Sequence, residues 1–447
     1  MNDKMSICLR ALLIVAALAS HDASAQNAPL VVINVTAPPY NANGNDEVSD
    51  QAAFEAAIAH CAITNGCTIY IPNATKSYVL TAPLDIQGGN AVSFVGESKN
   101  NTALHPSQFN EFKAILNYKG TAAARISNIE IRNLAILGET KGAFAREGIG
   151  IQLSWVTKSR IDNVLFQSIR TGVHCKESFS NTFSNNNTNS LRGDAYLLDV
   201  DCNNNTFLDS SFGSARNGIH VVGAINGLSI IGSNCEDVPV NGYCVYLDPP
   251  ADSRIEGVNI QNTHFELVRG AALYAKGAAA NSIVNLKFDN NFVAGSYRSW
   301  LVPREGAGSG EARYAVILKN VLGFEASNNV FFDWQLAAFC PDGTESNGSV
   351  ERNTLIQPDG GGGMKLTDPE FRPSVRVTNN AKWVQKIPSI APESVGRQET
   401  FRSTIPLGAC NVGDIAWNVA PISGGFAGWI CATAGALEIW KPFGAIQ

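Results

Sequence analysis

Hydrophobic and polar positions along this chain alternate in short bursts rather than in helical waves. A burst reads apolar–x–apolar, then Asn or another small polar residue, then a further apolar pair. It stands at Arg160-Ile-Asp-Asn-Val-Leu-Phe166, Asn181-Thr-Phe-Ser-Asn-Asn-Asn187, Asn205-Thr-Phe-Leu-Asp-Ser-Ser-Phe212, Val258-Asn-Ile-Gln-Asn-Thr-His-Phe265 and Phe324-Glu-Ala-Ser-Asn-Asn-Val-Phe331. The middle copies recur every 22 to 30 residues. A second burst runs in step with it, at Gly172-Val-His-Cys175, Ala195-Tyr-Leu-Leu198, Gly218-Ile-His-Val-Val222, Cys244-Val-Tyr-Leu247 and Ala272-Leu-Tyr274. Period-two alternation over a few residues marks short, half-buried strands. A fixed period holding two or three such strands marks stacked coils rather than separate sheets. The expected fold is all-β, a parallel β-solenoid of about nine to eleven coils with a long outer groove.

The pattern changes at both ends. Asp46 to His60 reads as one helix, with Ser49 or Asp50 as N-cap and Phe54, Ile58 and Cys61 on one face. Laid across the first coil, it would hide that coil's open end and edge hydrogen bonds. Gly295 to Arg313 interrupts the rhythm and reads as a protruding loop. A Gly run at 360–363 and several prolines then predict a linker over 361–400. The Trp/Gly-rich phrases Gly413-Asp-Ile-Ala-Trp417, Gly424-Gly-Phe-Ala-Gly-Trp-Ile-Cys431 and Trp440-Lys-Pro-Phe-Gly444 predict a small β module over 401–447. Its tryptophans fit a small core better than sugar platforms.

Composition sharpens this picture. Of 447 residues, 45% are hydrophobic and only 16% charged. That suits one large solenoid domain over 26–360 with many Gly/Asn turns. The formal net charge is −6, and the absence of a basic stripe argues against nucleic acid. Residues 1–25 read as a signal peptide: Lys4 and Arg10, an apolar Ala11–Ala19, then Ala23-Ser-Ala25. No other segment is long enough to span a membrane, so a secreted or periplasmic protein is expected. Ten cysteines agree with export. Cys8 falls in the signal peptide; of the other nine, Cys61 with Cys67, Cys175 with Cys202, Cys235 with Cys244 and Cys410 with Cys431 are plausible pairs, which leaves Cys340 over.

The opening Tyr40-Asn-Ala-Asn-Gly-Asn-Asp-Glu, the helix after it, Gly66-Cys-Thr-Ile-Tyr-Ile-Pro72 and Tyr78-Val-Leu80 together resemble the start of pectate-lyase superfamily right-handed β-helices. The resemblance covers about residues 30–360. It implies a right-handed parallel β-helix and a polysaccharide partner, as in lyases, polygalacturonase-like hydrolases, epimerases and tailspikes. Tailspike likeness also implies a homotrimer. The chain departs from polygalacturonase-type phrases: Asn187-Thr-Asn189 lacks the acid, and Gly218-Ile-His220 stands where Gly-His-Gly is usual.

Glycoside hydrolysis needs two carboxyls roughly 5–9.5 Å apart. Asp199 and Asp201, at i and i+2, would share a face of an extended strand and serve as acid and base. His220, one coil on, would orient or carry the proton. Asp248 lies another coil on, and His174 one coil back. Glu266 is a second candidate acid. Arg192, Arg216 and His174, with Tyr297, Arg298, Trp300 and Arg304 of the inserted loop, are candidate substrate-binding residues. Aromatic and Arg side chains suit an anionic sugar. The hydrolase reading needs no cofactor. The lyase reading would use Ca²⁺ on Asp194, Asp199 and Asp201. A non-catalytic, adhesin-like binding protein is the third reading. Asn163, Asn262, Asn290, Asn328 and Asn353 are expected to form a stacked amide ladder.

Overall fold

A computed structural model describes residues 31–107, 114–138, 148–239, 241–295, 314–332, 334, 337–341, 346–358, 365–367, 375–385, 399–402, 415–420, 422–423, 425–433 and 439–445. The proposed signal peptide and the loop carrying Tyr297, Arg298, Trp300 and Arg304 lie outside these residues. The chain divides into two units, one made of residues 1–356 and 362–383 and the other of 357–361 and 384–447.

The first unit is the solenoid. Three stacked parallel sheets of 16, 11 and 6 strands build it, the third spanning only residues 234–385. The second burst of the sequence builds the 11-stranded sheet. In chain order its strands are β1 Leu84–Gln87, β2 Ala114–Lys119, β3 Ile149–Ser154, β4 Thr171–Lys176, β5 Asp194–Leu198, β6 Asn217–Val221, β7 Tyr243–Leu247, β8 Ala271–Lys276, β9 Tyr314–Lys319, β10 Ala337–Pro341 and β11 Lys365–Thr367. Each pairs in parallel with the same strand of the next coil. The register runs through His174, Leu197, His220, Tyr246, Tyr274, Ile317 and Cys340. The first burst builds the 16-stranded sheet, where Ile161, Phe183, Phe207, Ile230, Ile260 and Phe288 stack inward.

One buried core extends from Ile33 to Leu355. It holds a stacked Phe183–Phe207 pair at 4.7 Å, with Tyr196 edge-on to both. The helix α1, Gln51–Ile63, buries Phe54 and Cys61 against this core. Asp50 is the N-cap residue of α1, as expected, but its side chain makes no capping bond. Its carboxylate accepts the Asn43 and Val79 amides instead, and burial raises its pKa. Cys61–Cys67, Cys175–Cys202 and Cys235–Cys244 are disulfides as expected. Cys431 is also disulfide-bonded.

The amide ladder exists, shifted by one residue. Asn291, Asn329 and Asn353 are almost fully buried, and Asn380 continues the column. Each side-chain oxygen accepts a backbone N–H from the preceding coil, at 2.7 to 3.0 Å. Each Nδ2 donates to a preceding carbonyl: Ile260, Phe288, Ala326 and Val350. Of the residues expected there, Asn353 alone belongs to this buried column. Asn262, Asn290 and Asn328 come one residue earlier, in left-handed backbone with φ between 52° and 57°. Asn tolerates that conformation, and the turn needs it to aim the next side chain inward. Asn163 also has φ 52° and bonds Asn133 of the preceding coil.

The expected linker over 361–400 is in part a further coil. Strands Val375–Thr378 and Lys365–Thr367 extend the first two sheets, and Ala381–Gln385 extends the third. The second unit holds a four-stranded sheet of Glu399–Arg402, Ile415–Asn418, Phe426–Thr433 and Ile439–Ala445. Trp429 is buried in it, and Trp417 packs edge-on to Phe443 at 5.4 Å. Tryptophan therefore contributes to the interior of this small sheet, as composition implied.

Candidate functional site

The outer face of β4 to β8 gathers most of the expected polar residues. Two outward columns cross it, and the one beginning at His174 is largely aromatic. His220 stacks on Tyr246 at 4.6 Å and Tyr246 on Tyr274 at 5.5 Å, while Tyr243 packs beside both tyrosines. Because these rings lie face to face along the solenoid, they present edges outward and stiffen the face.

Carboxylates are held against this stack. Asp194, at the start of β5, accepts Asn217 Nδ2 at 2.7 Å and pairs with His220 Nδ1 at 3.1 Å. Asp199, just past β5, accepts the Val200 amide on Oδ1, and its Oδ2 lies 3.6 Å from His174 Nε2. Burial pushes the His174 pKa down, while the charges of Asp199 and Asp194 oppose that. Asp248, just past β7, accepts the Tyr246 hydroxyl at 2.8 Å and lies 3.3 Å from Lys276 Nζ. Burial, then the Asp248 carboxylate, raises the Tyr246 pKa to about 12.

The second outward column carries the accessible acids. Asp199 donates its N–H to Cys175 O, Val222 to Leu198 O, and Asp248 to Val221 O. Lys176, Asp199, Val222, Asp248 and Lys276 therefore stand one above another. Asp199 and Asp248 are two coils apart, about 9.5 Å at the ordinary strand spacing. Their side chains are 33% and 32% exposed.

Four sequence expectations change here. Asp199 and Asp201 do not share a strand face. The strand ends at Leu198, and Asp201 sits exposed in left-handed backbone with φ 56°. Its neighbour Cys202 turns inward to its disulfide with Cys175, which bends the chain away from the sheet. Glu266 lies in strand His264–Val268 of the third sheet, in register with Glu236, on a different face from Asp199. The Nε2 atoms of His220 and His174 are buried and make no hydrogen bond among the described residues. His220 is thus placed to orient Asp194 rather than to exchange protons with a ligand. Among the described residues no group of three or more His, Cys, Asp or Glu could hold a metal ion, so Asp194, Asp199 and Asp201 do not form such a group.

Tyr243, Tyr246, Tyr274, Asn217 and Lys276 were not among the expected site residues. Their signal is present in the second burst: Tyr243-Cys-Val-Tyr-Leu-Asp248 aligns with Asn217-Gly-Ile-His-Val-Val222 position by position. Arg192 and Arg216 are exposed in the turns before β5 and β6. With Arg269 they line a separate cleft of about 700 Å3.

Comparison with known proteins gives the same architecture. The family described as periplasmic copper-binding protein (NosD) matches residues 110–300, less than half of the chain. No curated protein sequence matches. Among solved structures, the Dettilon tailspike protein is similar over 79% of this chain and 68% of its own, at 12% identity and a TM-score of 0.57. The catalytic unit of an alpha-1,3-glucanase from Streptomyces thermodiastaticus is similar over 81% and 70%, at 14% identity and TM-score 0.51. A family 28 exopolygalacturonase from Yersinia enterocolitica is similar over 79% and 78%, at 13% identity and TM-score 0.50. Among the described residues no helix is long and apolar enough to cross a membrane. The chain is a right-handed parallel β-helix, sharing its fold with tailspikes and polygalacturonases.

Proposed function

We propose that this protein is an exported carbohydrate-active enzyme that hydrolyses a polysaccharide across the outer face of β4 to β8. The observation that carries the reading is the Asp199–Asp248 column. The two part-exposed residues have backbone positions about 9.5 Å apart by strand spacing, and inverting glycosidases hold their carboxyl groups roughly 6.5–9.5 Å apart. Small side-chain rotations would bring them inside that range. Val222 stands between them in the column. In this reading Asp199 protonates the glycosidic oxygen. Asp248, in its ion pair with Lys276, takes a proton from the water that attacks the anomeric carbon. The Asp194–His220 pair and the tyrosine stack hold the face rigid, which keeps the two acids in place. No cofactor is needed.

The test is reducing-end release from a panel of plant, algal and bacterial polysaccharides. Asp199→Asn and Asp248→Asn should each lower turnover by at least ~10²-fold, with binding and circular dichroism unchanged. Full activity in either variant sinks the assignment. Unsaturated, ultraviolet-absorbing products lost on adding EDTA would instead establish Ca²⁺-assisted β-elimination on a uronic-acid polymer. One feature favours a second reading, a polysaccharide-binding surface without chemistry: both oxygens of Asp194 are already occupied by Asn217 and His220. Retained binding with no product from any polymer would select it.

A further inference from the structure

The turns leading into β5, β6, β7 and β8 build the cleft lined by Arg192, Arg216 and Arg269. The register Asp194, Asn217, Tyr243, Ala271 fixes which residues precede it: Gly193, Arg216, Gly242 and Gly270. Over four coils, Arg216 is therefore the one position in that column with a side chain, and it is exposed. The glycines are required by close backbone approach. A Cβ at Gly242 would run into the carbonyl of Arg216, and one at Gly270 into that of Gly242. Arg216 is therefore flanked in its column by positions that carry no side chain.

Charge in the cleft opposes that of the whole chain. Three guanidinium groups and the single carboxylate of Asp237 line it, whereas the chain's formal net charge is −6. Asp237 is committed to Arg269 at 2.9 Å. A smaller cleft of about 340 Å3 shares Asn189 and Ser214 with it and is lined by one cation, Lys99, and one carboxylate, Glu236. Planar guanidinium groups match carboxylate and sulfate oxygens two at a time, with more geometric selectivity than an ammonium.

We propose that this cleft is a subsite for an oxyanion carried on the glycan, the carboxylate of a uronic acid or a sulfate ester, with Arg216 as its central contact. The proposal rests on reading the adjoining face as a glycan-binding surface. It adds that the substrate is acidic and is gripped away from the site of cleavage. Seven residues separate Arg192 from Asp199, at most roughly 23 Å along the strand. A glycan laid along the strand direction would reach both.

Calorimetric titration of the full chain with polygalacturonate, dextran sulfate and neutral dextran tests it. The wild-type protein should prefer at least one acidic polymer, with an affinity that falls as salt screens the pair. Preference for polygalacturonate assigns a carboxylate, preference for dextran sulfate a sulfate ester, and equal preference an oxyanion of either kind. Arg216→Ala should weaken binding to the preferred polymer about tenfold, Arg216→Lys less, and neither should change dextran binding. Equal affinity for dextran, or an unchanged Arg216→Ala variant of native circular dichroism, overturns the subsite. The two readings fail separately. Loss of acidic preference with cleavage of a neutral polymer intact removes the cleft alone, whereas retained acidic preference without cleavage removes the hydrolase alone.

Discussion

Replacing Asn329 by Ala separates the buried amide column from the exposed Asn residues beside it. Asn329 is fully buried. Its Oδ1 accepts the Asn291 amide at 2.8 Å, and its Nδ2 donates to Phe288 O at 2.7 Å and to Asn353 Oδ1 at 2.8 Å. Alanine removes all three bonds and returns no partner to the buried Asn291 N–H. A buried group left unsatisfied costs about 1–3 kcal/mol, so two such groups put the loss at about 2–6 kcal/mol. The control is Asn328, one residue away and exposed, with φ 57°. Alanine there meets the left-handed penalty of about 1–2 kcal/mol, and glycine should be neutral or slightly stabilising. Urea unfolding followed by circular dichroism gives the comparison, read as a midpoint shift at constant slope. The reasoning is refuted if Asn329→Ala lies within about 1 kcal/mol of wild type, or if Asn328→Ala is the more damaging change.

Three further outcomes are expected from the same physics. His174 has a lowered pKa in the folded state, so below its unfolded value of 6.5 the unfolded chain takes up the proton first. Stability should therefore fall as pH drops through that window, and His174→Gln should flatten the dependence of the melting temperature between pH 7.5 and 5. Removing the Cys175–Cys202 disulfide by a double alanine substitution frees a loop of sequence separation 27, worth about 3.5 kcal/mol in the chain-entropy account; calorimetry showing no loss would count against that. Gly218→Ala would drive a methyl group into the Phe212 ring and the Cys244 carbonyl, and should cost about 1–3 kcal/mol in denaturant titration.

The solenoid was legible because its signal repeats. Each coil places an inward Ile or Phe at the same phase, so Ile161, Phe183 and Phe207 reinforce one another where a single strand would be ambiguous. The grouping of His174, Asp199, His220 and Asp248 on neighbouring coils followed from the same periodicity. Errors arose where the backbone leaves the extended state. The i, i+2 spacing predicts a strand face for Asp201, which the turn before Cys202 abolishes. In the pairs Asn290-Asn291 and Asn328-Asn329 the first Asn is left-handed and the second points inward, whereas Asn353 follows a left-handed Arg352 and is itself the inward residue. Glu266, a candidate acid through its His-Phe-Glu phrase, lies in the third sheet, on another face from Asp199. Tyr246 and Lys276 carry no motif of their own; only register against His220 and Asp248 exposes them.

The direction of the amide column bears on how the chain assembles. Every Asn oxygen reaches back to an N–H of the coil before it: Thr263 waits for Asn291, Asn291 for Asn329, Asn329 for Asn353 and Asn353 for Asn380. A coil is therefore completed only when its successor arrives. For a polypeptide emerging N-terminus first, the growing tip always carries one unanswered donor, and each newly docked coil passes that need along. A chain cut short within this stretch would end on a permanently unfinished turn, so truncation should damage this column more than its lost length alone implies.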